Sequence, residues 1–152
     1  MTTLKPKFKK RWLKALRSGE YPQTENALVE MWGGKPVGYC CLGVACAVSS
    51  EKYVQGVEKF FAPVGTDPDH WENLALPSAV MSAYGFESSV GDYNISDLPP
   101  EVEQKIKQAL LDAGPGSKYV HGMNLNNHNS LALLNDAGVP FHVIADVVEA
   151  LF

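Results

Sequence analysis

The sequence predicts an α+β fold: one helix-dominated domain, residues 1–152, with a small antiparallel sheet or hairpins in its middle third. Three observations carry this prediction. Apolar residues recur at helical spacing near both ends of the chain, Gly and Pro punctuate the segments between them, and residues 51 to 70 shorten into β-like pieces, KYVQGV and KFFAPVG. A chain of 152 residues suits a single core, since a domain of this size buries roughly 70% of the surface its unfolded chain exposes.

The first helix is expected from Lys5 to Ser18, with Leu4, Phe8, Trp12 and Leu16 inward and Gly19 ending it. YPQTEN follows as a loop. ALVEMW is too short to choose between a strand and a helical turn, and GGKPVG reads as loop chemistry. YCCLGVACAVSS is a second helix, whose Gly43, Ala45, Cys46 and Ala47 imply that another element packs closely against it. LPSAVMSAYGF is a short helix ending at Gly85, and SSVGDYNISD has room for one more strand. Asp97 is the expected cap of a helix over 98–113, with Val102, Ile106, Ala109 and Leu110 on one face. NSLALLNDAGVPFHVIADVVEALF reads as two helices joined at Gly138, with Asn129 or Ser130 capping the first.

Charge is distributed unevenly. Net charge is −4, yet Lys5, Lys7, Lys9, Lys10, Arg11, Lys14 and Arg17 precede any acid, and residues 18–152 carry 6 basic and 17 acidic residues, a balance of −11. Such asymmetry can mark a nucleic-acid arm. Here the helical spacing makes Lys7, Lys10, Lys14 and Arg17 the solvated face of an amphipathic helix. DNA is not the expected partner, because the second helix of the C-terminal pair carries Asp146 and Glu149 and no Lys or Arg. The C-terminal pair is therefore read as a structural αα-hairpin. No apolar run is long enough to span a membrane, no secretory h-region opens the chain, and three cysteines suit a reducing compartment. The expectation is a cytoplasmic protein without a membrane partner.

Chemistry centres on two polar segments. Cys40 and Cys41 sit at a helix start behind Lys35, where free N–H groups and the helix dipole favour a thiolate. Cys40, the one expected at a pocket rim, would be a nucleophile with His128 (or His121) as base, Asn126, Asn127 or Asn129 to orient it and Gln23 as oxyanion donor. Against that reading, free cysteine is commonly a small buried hydrophobe, which is the role assigned to Cys41 and Cys46. No metal or other cofactor is expected: the cysteines lack paired zinc-ligand spacing, and His70 with Asp67 and Asp69 forms a polar turn.

The second segment, KYVHGMNLNNHNS, is rich in neutral donors and acceptors of the kind that read a nucleobase or ribose. A glycine loop before a helix can cradle an anion, although the GxxxxGK[ST] spacing of a phosphate loop is absent. A small anionic or nucleotide-like ligand is therefore expected between residues 33–39 and 118–130, with Lys35, Tyr39, Asn126 and His128 touching it.

RWLKALRSGEYPQ, GYCCLGVAC, LPSAVMSAYGF and LALLNDAGVPFHVIADVVEAL together resemble a family of small proteins encoded by bacteriophages and prophages, with a Cys-Cys-Leu-Gly-Val core and a Leu-Asn-Asp-x-Gly then Ile-Ala-Asp ending. The resemblance implies a viral protein in the cytoplasm of an infected bacterium. Small phage proteins commonly act by binding, so the leading expectation is a non-enzymatic protein that sequesters a nucleotide-derived ligand or a host factor and antagonises a host process such as defence. The alternatives are a Cys-His hydrolase of such a ligand or of an isopeptide, and an inhibitor that docks on a host protein. A homo-oligomer is compatible with either.

Overall fold

A computed structural model describes residues 3–33, 35–49, 75–113 and 130–152. The domain is helix-dominated and carries a small antiparallel sheet. Helix α1 spans Pro6–Ser18; it starts on a proline, whose missing N–H costs nothing there, and stops where Gly19 turns left-handed at φ 74°. Trp12, Ala15 and Leu16 are buried and Phe8 packs at the edge of the core, as the spacing requires.

Strand β1 (Val29–Trp32) and strand β2 (Lys35–Tyr39) form a hairpin, with Val29 opposite Tyr39 and Trp32 opposite Lys35. The sequence reading of GGKPVG as loop is corrected here. Lys35, Pro36, Val37, Gly38 and Tyr39 are extended, and Gly33, at φ 56°, supplies the turn. Pro36 has no N–H for the ladder, and the register shifts between Glu30 and Met31, opposite that part of β2. Beyond the hairpin, Tyr39 exchanges backbone bonds with the loop before β1, donating to Pro22 and accepting from Thr24, both at 2.8 Å.

Helix α2 (Cys41–Ser49) is buried on almost every side. Its small residues have a physical reason: a Cβ on Gly43 would lie 1.7 Å from the Leu28 carbonyl oxygen, so only hydrogen allows the close approach. Trp12 donates its indole N–H to the Cys41 carbonyl (2.9 Å), and Tyr84 donates its hydroxyl to the Ala45 carbonyl (2.8 Å). The two rings meet edge to face at 5.8 Å.

Helix α3 (Ser78–Tyr84) ends at Gly85. A 3₁₀ turn, Ile95–Asp97, is capped by the Asn94 side chain, and helix α4 (Pro100–Asp112) then begins on its own proline after Pro99. Asp97 is thus inside the 3₁₀ turn and does not cap α4, because the Pro-Pro step sets the helix start without it. The strand expected within SSVGDYNISD is reduced to one bridge, Asp92 with Ser130. Helix α5 (Leu131–Asp136) is capped by Ser130, whose hydroxyl accepts from the Leu133 amide at 3.2 Å, and helix α6 (Phe141–Leu151) follows the left-handed Gly138. The β-like pieces expected between 51 and 70 lie outside the described residues.

Helix α2 sits at the centre, with α1, α3 and α5 against it; α1 and α4 also pack on α6. The buried apolar side chains form one cluster from Leu4 to Phe152. Among the described residues no helix is long and apolar enough to cross a membrane.

Candidate functional site

The start of α2 is where strand, helix and C-terminal hairpin converge. Cys40 leaves β2 with its amide donating to Leu28 O at 3.0 Å, and its sulfur accepts the Gly43 amide at 3.3 Å. That is N-cap geometry, with sulfur in the place usually held by a Ser or Asp oxygen. The Cys41 amide donates to Asn135 Oδ1 at 3.0 Å. Two of the first N–H groups of the helix, those of Cys41 and Gly43, expected to be open to an anion, are therefore engaged by the protein itself.

Cys40 is 6% exposed, which corrects the pocket-rim expectation: the thiol is enclosed because its capping role points it back into the helix it starts. Burial pushes it up to about 11 despite the opposing pull of the Gly43 and Leu42 amides. Cys41 and Cys46 are buried too, and burial raises both. Cys41 donates its thiol hydrogen to the Leu131 carbonyl (3.4 Å). A nucleophile needs a depressed thiol pKa and an approach path. The three thiols have the opposite environment.

Asn135 is the residue that sequence reading missed. Fully buried, its Oδ1 accepts from both Cys41 N and Gln23 Nε2 (3.1 Å), and its Nδ2 donates to Thr24 O at 2.8 Å. Gln23 Nε2, assigned to an oxyanion, donates also to the Val139 carbonyl (2.8 Å) and so braces two loops. The available signal was one amide in LALLNDAG, directly after Leu134 at the end of an apolar run.

Of the ligand-contact residues, Lys35 is exposed at one end of β2, and Tyr39 is half-buried at the other, edge to face with Tyr21 at 5.2 Å. Four strand steps separate them, about 13 Å. Trp32, at the hairpin turn, is 79% exposed. Asn126 and His128, with His121, Asn127 and Asn129, lie outside the described residues.

Polar surface concentrates instead on α1 and α6. Arg17 donates to Asp146 (2.9 Å) and Glu149 (2.6 Å), and Lys105 of α4 pairs with the other oxygen of Asp146 (2.5 Å). The two acids of α6 that argued against a DNA-reading helix are thus part of a three-helix ion cluster. Burial raises Asp146, but the hydrogen bonds from Lys105 and Arg17 outweigh it and hold the carboxyl below its ordinary range. Beside this cluster, α1 and α6 enclose a groove of about 370 Å³ lined by Lys9, Lys10, Leu13, Lys14, Arg17 and Glu149, with Pro6 at its end. Among the described residues no three His, Cys, Asp or Glu side chains are grouped to hold a metal ion.

The family model described as Domain of unknown function (DUF8296) matches residues 4–152, and the chain belongs to that family. No curated protein and no solved structure matches it.

Proposed function

We propose that this member of the DUF8296 family is a non-enzymatic binding protein of bacteriophage type, which takes up a small anionic ligand or a host factor and thereby antagonises a host process. The observation that carries the reading is the enclosure of Cys40. A thiol that caps its own helix, is closed to solvent and is pushed up to about 11 is a packing and capping group. Hydrolysis through it would require the start of α2 to open. Cations on α1 and an exposed aromatic at the hairpin turn support a binding role. The phage setting is carried by the sequence resemblance.

The test pairs two measurements on the folded chain. Intact-mass spectrometry with a thiol-reactive probe near neutral pH is expected to show no label on the native protein and three labels after denaturation. Protein recovered from phage-infected cells and heated is then expected to release a small anion, or to have carried a host protein through purification. Rapid native labelling of Cys40 alone would overturn the reading in favour of the hydrolase.

A further inference from the structure

We propose that the outer face of α1 is a docking surface for an acidic face of a partner protein, one that bears an apolar residue among its carboxylates. This rests on the binding reading above and names the partner. The helix repeat of 100° per residue places Lys7, Lys10, Lys14 and Arg17 within an arc of about 80°, and a rise of 1.5 Å per residue spreads them over roughly 15 Å. Arg17 is spent on Asp146 and Glu149. Lys7, Lys10, Arg11 and Lys14 make no ion pair among the described residues.

The helix itself offers them none. PKFKKRWLKALRS contains no acid, has none in its first turn and lacks a capping side chain. Like charges therefore face one another at i, i+3 and i, i+4, an arrangement that weakens a helix. Elsewhere the same chain does pair its charges: on α4, Lys107 meets Glu103 one turn away at 2.7 Å. The fold compensates Arg17 with two acids, and Lys5 and Lys9 with the Ser82 and Glu149 carbonyls. It gives Lys7, Lys10 and Lys14 no ion pair among the described residues, which marks their face as a surface whose compensation comes from outside.

Three features select an acidic protein over a nucleic acid. The groove beside the cations has Leu13 and Pro6 in its wall, a place for an apolar side chain and not for a phosphate. Glu149 stands in the same groove, paired with Arg17, so it interrupts the cationic surface and breaks the continuous track that a nucleic-acid backbone follows. Beyond residue 17 the chain carries an excess of 11 acids over bases, a net charge that opposes a long polyanion more than a short acidic face.

The test uses the full chain and three fluorescent probes: an acidic peptide with leucines between its glutamates, an all-glutamate peptide of equal charge, and a short DNA duplex. The leucine-bearing peptide is expected to bind tightest, with affinity that falls as salt rises and drops about tenfold or more in Lys10→Glu/Lys14→Glu. Lys10 and Lys14 are exposed, and an unchanged melting temperature and helical circular dichroism confirm that the variant folds. Duplex DNA bound as well as that peptide, no binding at physiological salt, or equal binding by the variant would each overturn the assignment. Failure here, with native Cys40 still unlabelled and a ligand still released on heating, removes the surface and leaves the binding reading standing; rapid Cys40 labelling removes the latter.

Discussion

The side-chain oxygen of Asn135 accepts the backbone amide of Cys41 at 3.0 Å, 94 residues away in sequence. Through this bond a residue of the C-terminal hairpin does for the start of α2 what a local cap would otherwise do, while Cys40 supplies the second half of the cap through sulfur. The start of α2 is thereby a structural joint, and its strength can be measured.

Replacing Asn135 with Ala removes the partner of the buried Cys41 amide and of the part-buried Thr24 carbonyl. The expected loss is about 2–4 kcal/mol, since each unsatisfied buried group costs on the order of 1–3 kcal/mol. Urea unfolding checks it through a lowered midpoint with an unchanged slope. A shift no larger than that of a surface substitution would show the joint to be unimportant.

Gly43→Ala puts a methyl group where the Leu28 carbonyl oxygen already stands. Backbone, unlike the end of a flexible side chain, cannot move aside cheaply. A destabilisation of at least about 2 kcal/mol is expected from this overpacking, read as a fall in melting temperature, whereas Ala47→Gly in the same helix should cost about 1 kcal/mol from propensity alone.

Cys40→Ser and Cys40→Ala separate the capping role from a chemical one. Serine is among the preferred N-caps and should keep the Gly43 amide satisfied; alanine removes the acceptor at a cost of about 1 kcal/mol. Thermal melts should therefore rank serine above alanine. Ligand or partner binding should be retained in both variants.

Acid should loosen the α1, α4 and α6 cluster through Asp146. Its folded pKa is depressed, so the stability it contributes is present above the unfolded value of about 3.9 and is lost as pH falls through the folded value. Asp146→Asn is expected to flatten the stability profile below about pH 4 and to leave the profile between neutral pH and that point almost unchanged in shape. A variant with the same acid limb as the parent would place the titration elsewhere.

The helices were legible wherever one face alone meets the core. Phe8, Trp12 and Leu16 in the first helix, Val102, Ile106 and Leu110 in the fourth and the apolar stripe of the last all repeat at helical spacing because the other face is wet. Strand β2 was hidden by its own composition: Pro36 and Gly38 are turn residues in most settings, and here the proline coincides with a register shift and Gly38 lies under Thr24. The state of the helix start behind the hairpin was hidden for a different reason. A sequence shows that a helix start has free N–H groups, but not that Cys40 and Asn135 have already taken them. Asn135 itself is one polar letter on an apolar face, and its partners lie in loops about a hundred positions earlier.

The central position of α2 sets an order of events during synthesis. Residues 41–49 leave the ribosome as an apolar segment almost devoid of polar side chains, and the helix that covers one side of it, with the Asn135 amide, emerges only after residue 131. At about 5–20 residues per second, that segment waits several seconds with part of its surface uncovered. A truncation before residue 131 leaves that apolar surface uncovered and should be found in aggregates rather than in solution.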